Sequence, residues 1–77
     1  MVFNNDGMRK NSKLPKTLGK KIQKRRKEME LTQEELAEKI RMSRAYVGYI
    51  EQGRNAPSLE ALEKIARALK TTASSLL

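Results

Sequence analysis

The sequence predicts an all-α fold, a compact bundle of five short helices. Three observations carry that expectation. Thr17, Thr32, Ser43, Ser58 and Thr72 each stand where a helix N-cap is wanted. The apolar residues that follow them recur at helical spacing, most clearly Leu59, Leu62, Ile65, Ala66 and Leu69. At 77 residues the chain is one small domain; a chain of that size buries only about 60% of its unfolded surface, so its core should be a single aliphatic cluster.

Residues 1–16, MVFNNDGMRKNSKLPK, carry no period and include Gly7, Pro15 and three asparagines. They read as a flexible basic N-terminal arm ahead of a domain at 17–77. Val2 and Phe3 are odd in such a tail and are expected to cover an apolar patch or a dimer partner. Helix one is expected from Thr17 to Met29, with Leu18, Ile22 and Met29 inward and Leu31 packing just after it. Lys20, Lys21, Lys24 and Lys27 lie outside, whereas Arg26, four residues from Ile22, falls on the buried side.

Thr32 and Glu35 form a Thr-x-x-Glu capping box, which starts a second helix at Gln33. Leu36, Ala37 and Ile40 are its apolar face. Ser43 caps a third helix whose inward positions are Val47 and Ile50, and Gly53 stands where a left-handed C-cap residue ends it near Gln52. Pro57 blocks backward extension of a fourth helix capped by Ser58. Thr72 caps a last short turn that carries Leu76 and Leu77, an apolar pair with little left to cover it.

Ala37, Met42 in the turn, Val47 and Ile50 make the apolar frame of a helix-turn-helix over residues 33–52. With LTQEELAEKI, SRAYVGYIEQGR and PSLEALEKIARAL, the chain from about 17 to 77 resembles the phage-repressor and Cro-type helix-turn-helix regulators. The resemblance implies a lambda-repressor-like fold and a sequence-specific DNA-binding transcription regulator, a repressor, that lays helix 44–52 in the major groove. It also implies a cytoplasmic protein of bacterial or phage type, at the nucleoid when bound.

By family position Arg44, Ala45 and Tyr49 touch base edges, Arg44 as a fork that can pair with guanine. A surface tyrosine covering the core edge is the plain reading of Tyr49. Gly48 has no side chain to read with and would let the helix come close. Gln33, Ser43, Tyr46, Arg54 and Asn55 are the expected phosphate contacts. Arg9, Lys10 and Lys13 become arm contacts if the arm wraps the duplex, and are otherwise a solvated tail. The resemblance further pairs Arg26 with Glu51 in a bidentate salt bridge that orients helix one against the recognition helix. Two positions depart from the family's pattern. Arg41 and Glu30 stand where glycine is usual, so both are expected to hold a strained left-handed backbone.

Charge supports a polyanionic partner. The net charge is +8, and residues 1–27 hold ten Lys and Arg against Asp6 while the remainder is nearly balanced. Double-stranded DNA is favoured over a membrane, because helix one needs its apolar face for the core. There is no cysteine and no histidine, hence no disulfide frame and no conventional zinc site, and no cofactor is expected. No apolar run reaches the length of a membrane span. No catalytic reading survives: the serines sit at caps or in the tail, and Glu34, Glu35 and Glu38 decorate a helix surface. The rival is a protein-interaction module of the same fold, of antitoxin or bridging-coactivator type, docking through Val2, Phe3, Leu76 and Leu77. A homodimer on DNA is expected, and the Leu76–Leu77 pair reads either as its two-fold contact or as the cut edge of a longer regulator.

Overall fold

A computed structural model describes the backbone of residues 13–77 and the side chains from residue 15 onward. Five helices follow one another, and among the described residues there is no strand. They are α1 (Lys13–Glu28), α2 (Gln33–Ile40), α3 (Arg44–Glu51), α4 (Leu59–Ala68) and α5 (Ala73–Leu76). No described helix is long and apolar enough to cross a membrane.

Helix α1 starts four residues ahead of the expected Thr17, which lies inside it instead of capping it. The reason is Pro15. It falls in the first turn, where the N–H it lacks would have had no intrahelical partner, so it opens the helix instead of blocking it. Helix α1 thus reaches back into the segment expected as arm. Val2, Phe3, Arg9 and Lys10 lie outside the described residues, as does the side chain of Lys13.

The other four helices begin at their caps. Thr32, Ser43, Ser58 and Thr72 are extended, and their hydroxyls accept the backbone N–H of Glu35, Tyr46, Ala61 and Ser75. At α2 the box is reciprocal: Glu35 N–H donates to Thr32 Oγ1 at 3.0 Å, and Thr32 N–H donates to Glu35 Oε1 at 2.8 Å.

Helices α1 to α4 end alike, each on a residue with positive φ: Glu30 (59°), Arg41 (60°), Gly53 (76°) and Lys70 (55°). The next N–H reaches back to close the helix, from Leu31 to Arg26 O, Met42 to Ala37 O, Arg54 to Tyr49 O and Thr71 to Ala66 O. The left-handed strain expected at Arg41 and Glu30 is present, and Lys70 adds a third case. Gly53 differs for a steric reason, since a Cβ there would stand 2.7 Å from Lys16 Cα.

One cluster forms the core: Leu18 and Ile22 of α1, Leu36, Ala37 and Ile40 of α2, Val47 and Ile50 of α3, Leu62, Ile65 and Ala66 of α4 with Leu69 after it, and Leu76 of α5. Helix α3 packs on α1 and α2, α4 packs on α2 and α5, and α5 closes back on α1. Arg25 of α1 also ties down the end of α4, donating from Nε to Leu69 O at 2.9 Å and from Nη2 to Lys70 O at 3.2 Å. A cation there complements the negative end of the helix dipole.

Three apolar expectations are corrected. Leu76 is buried, because α5 folds back and inserts it beneath α1 and α4; Leu77 alone is exposed. Leu59 is 68% exposed, since side chains at a helix start lean back past its first turn and meet nothing here. Met42 is 40% exposed: the left-handed turn at Arg41 directs the chain so that Val47 and Ile50, not Met42, seal the motif.

Candidate nucleic-acid interface

The seating of α3 decides what it can present. Val47, Ile50 and Glu51 are buried, while Arg44, Ala45, Tyr49 and Gln52 are exposed and Gly48 lies half-buried between them. A helix buried at 47, 50 and 51 must present 44, 45, 48, 49 and 52 on its other side.

Two devices hold that seating, and both lie between α1 and α3. Arg26 donates from Nε to Glu51 Oε2 at 2.6 Å and from Nη2 to Glu51 Oε1 at 3.0 Å, a fork on a carboxylate. Its Nη1 donates to Leu31 O at 2.6 Å, so the same guanidinium also holds the entry to α2. The pair is almost wholly buried, with side-chain exposures of 9% and 1%. The second device is Gly19, to which sequence reasoning gave no role. A Cβ on Gly19 would run into the Ile50 carbonyl oxygen and stand 2.7 Å from Glu51 O. The missing side chain lets α1 lie directly on the carbonyl end of α3. The available signal was a glycine inside a strong helical pattern, where it destabilises unless packing requires it.

Gln33 joins this network. Its Nε2 donates to Glu51 Oε1 at 3.0 Å, so the amide orientation at the start of α2 is set by the buried pair. The same amide lies beside Gly48, where an added Cβ would stand 3.9 Å from both of its terminal atoms. The start of α2 and the outer face of α3 are therefore one continuous surface. Ser43 is exposed at the N-cap of α3, its Oγ accepting from Tyr46 N–H at 3.0 Å.

Tyr46 is less free than expected, being half-buried against the core. Burial pushes its phenol above the ordinary tyrosine value, which keeps it a proton-bearing donor near neutral pH. Arg54 is exposed but not loose. Its guanidinium carbon lies 5.0 Å from the centroid of the Tyr49 ring, a cation–π contact that holds both side chains at the rim of the surface. Asn55 follows, exposed, with its N–H directed at Tyr49 O at 3.4 Å. Gln33, Ser43, Arg44, Ala45, Tyr49, Arg54 and Asn55 thus belong to the start of α2, the outer side of α3 and the loop after it. Among the described residues no group of three carboxylates gathers as a metal site would need.

Comparison with known proteins agrees with this geometry. The helix-turn-helix family matches residues 22–76. The chain is 47% identical over 60 residues to the immunity repressor protein of Bacillus phage phi105, an alignment covering 78% of this chain and 42% of that one. It is 50% identical over 48 residues to an HTH-type transcriptional regulator of Methanothermobacter thermautotrophicus, covering 62% of this chain and 70% of the relative. Among solved structures, the clp gene regulator ClgR from Corynebacterium glutamicum superposes with a TM-score of 0.80 at 32% identity, over 82% of this chain and 67% of that one. The restriction-modification controller protein C.AhdI from Aeromonas hydrophila gives 0.79 at 32% identity, over 82% and 96%. The chain spans less than half the length of the phage immunity repressor it matches. With its capped helices, its left-handed turn and its buried Arg26–Glu51 pair, the chain belongs to the helix-turn-helix family of phage-repressor and Cro-type proteins.

Proposed function

We propose that this chain is a sequence-specific DNA-binding transcription regulator, a repressor, that inserts α3 into the major groove of double-stranded DNA. The observation that carries the reading is the continuous surface from Gln33 across Gly48 to Arg44, Ala45 and Tyr49, built on a helix whose seating is fixed from behind. A helix fits the major groove, where each base pair shows a distinct set of donors, acceptors and methyls. Arg44 and Ala45 enter first, with the guanidinium on a guanine and the methyl against a thymine. Gln33, Ser43, Tyr46, Arg54 and Asn55 hold the phosphates on either side. Relatives named as an immunity repressor and as a transcriptional regulator support the same role.

The protein acts in the cytoplasm, as a homodimer on a pseudo-palindrome, which sets the two recognition helices about 34 Å apart. Leu77, not the pair expected, remains available as an apolar contact. The protein-docking alternative loses Leu76 to the core and with it half of its C-terminal patch.

Selection of bound sites from a random DNA pool tests the proposal. Wild type should enrich a two-fold symmetric site, and Arg44→Ala should lose preference at about one base pair per half-site, worth ~1–3 kcal/mol of discrimination, while retaining weak nonspecific binding. Of the proposed phosphate contacts only Arg54 is a cation, so it should give log affinity against log salt a slope of about −0.9, steeper by about as much for each further Lys or Arg that meets a phosphate. An unenriched pool, or binding indifferent to salt, sinks the reading.

A further inference from the structure

The end of α2 remote from Gln33 opens on a second surface that the DNA reading does not use. A shallow basin of about 570 Å³ lies between the C-terminal ends of α2 and α4. Its rim carries Lys39, Arg41, Lys64, Arg67 and Lys70, and its floor is Ile40 and Ala68. No acidic residue lines it. Among the described residues no ion pair or side-chain hydrogen bond engages any of the five cations. Five like charges around one concavity repel one another, and the cavity volume is in the range that takes a nucleotide-sized ligand.

The backbone adds an independent observation. Arg41 and Lys70 are both held at positive φ, 60° and 55°. Both are helix-ending positions where glycine carries no steric penalty and any side chain does. Two separate helices thus end on a strained cation, and both strained cations face the same basin. Complementing the helix dipoles accounts for one charge at each helix end, which Arg25 already supplies to α4 through its bonds to Leu69 O and Lys70 O. It does not account for five.

We propose that this basin is a binding site for an oligophosphate, a small ligand with closely spaced phosphates. The five cations would share its charge, and the Ile40–Ala68 floor offers an apolar seat to anything attached to the phosphates. A DNA backbone would suit less well, since a duplex is too broad to enter a basin of this size and would ride on its rim. The cations on the outside of α1 are arranged differently: Lys21, Lys24 and Arg25 line a smaller hollow of about 200 Å³ that also holds the Glu28 carboxylate.

The test is calorimetric titration of the whole chain with inorganic tripolyphosphate and, separately, with ATP, paired with amide chemical-shift mapping. Binding should shift the amides of 39–41 and 64–70 and leave those of 44–49 in place. Arg41→Gly/Lys70→Gly should lower tripolyphosphate affinity about tenfold or more while keeping Tm at or above that of the parent, because the substitution relieves strain as it removes the charges. Lys64→Gln/Arg67→Gln should lower it similarly, and Lys20→Gln/Lys24→Gln should not. Tighter binding of ATP than of tripolyphosphate assigns a nucleotide, and equal binding assigns an inorganic oligophosphate. Unchanged affinity in the basin variants, or shifts confined to α3, overturns the proposal. DNA site selection by the Arg41→Gly/Lys70→Gly variant should match wild type, so the two readings can fail separately.

Discussion

The seam between α1 and α3 and the side where α2, α4 and α5 meet are built from different chemistry. The first is polar and tight: Arg26 on Glu51, Gln33 on the same carboxylate, and Gly19 against the carbonyls of Ile50 and Glu51. The second is aliphatic: Ile40, Leu62, Ile65, Leu69 and Leu76, all 4% exposed or less. Aliphatic contacts are nondirectional, so they hold helices together without setting one angle. A guanidinium fork is directional, and the contact of Gly19 with the α3 carbonyls, with no side chain between, fixes how closely the two helices approach. The comparison teaches that this domain draws cohesion from one side and the pose of its recognition helix from the other.

The largest expected effect comes from breaking the polar seam on one side only. Glu51→Ala strands the Arg26 guanidinium in a buried site and should cost about 3–5 kcal/mol in urea unfolding. Replacing both partners, as Arg26→Met with Glu51→Met, should be close to neutral or stabilising, because desolvation offsets most of the attraction in the native pair. DNA affinity should nevertheless fall in that double variant, since Gln33 loses its anchor. A double variant as unstable as Glu51→Ala would erase the distinction between the two regions.

Ile65→Ala tests the aliphatic side. It should cost about 2–5 kcal/mol of stability, and site preference measured well below its lowered Tm should be unchanged. Gly19→Ala is the next step down. The added methyl meets backbone, so α1 and α3 must part, at about 1–3 kcal/mol. Unlike Ile65→Ala, it should weaken DNA binding beyond what the loss of folded protein explains, as read by titration at a temperature where both variants are fully folded.

Gly48→Ala is the smallest and has the opposite sign. An added Cβ there meets only the Gln33 amide, at 3.9 Å and without a clash, so alanine should stabilise α3 by about 0.5–1 kcal/mol through backbone entropy. If close approach of α3 to the duplex is why glycine stands there, the same variant should bind DNA more weakly. Equal or tighter binding by electrophoretic shift would remove that reason.

Much of this was legible in the residues. Thr32, Ser43, Ser58 and Thr72 announced four helices because capping is local chemistry, and Ala37, Val47 and Ile50 announced the motif because its frame is a fixed spacing. The start of α1 was not legible, since Pro15 can open a helix as readily as forbid one and only its position in the turn decides. Leu59 and Leu76 were misjudged for a related reason. Periodicity tells which face a residue occupies, but not whether a neighbour covers that end of the helix. Gly19 went unassigned because its role depends on a helix thirty residues later. The Arg54–Tyr49 stack belongs to the same class, a pairing that no local pattern encodes.

Glu30, Arg41 and Lys70 have a consequence for how this sequence can change. Each occupies a left-handed corner that glycine would fill without strain, at roughly 1 kcal/mol apiece. Three single substitutions, none of them in the aliphatic core, could therefore restore thermodynamic headroom after damage elsewhere. A lineage that keeps long charged side chains at all three corners holds that reserve undrawn, and is free to reshape its reading surface by trial without first rebuilding its interior.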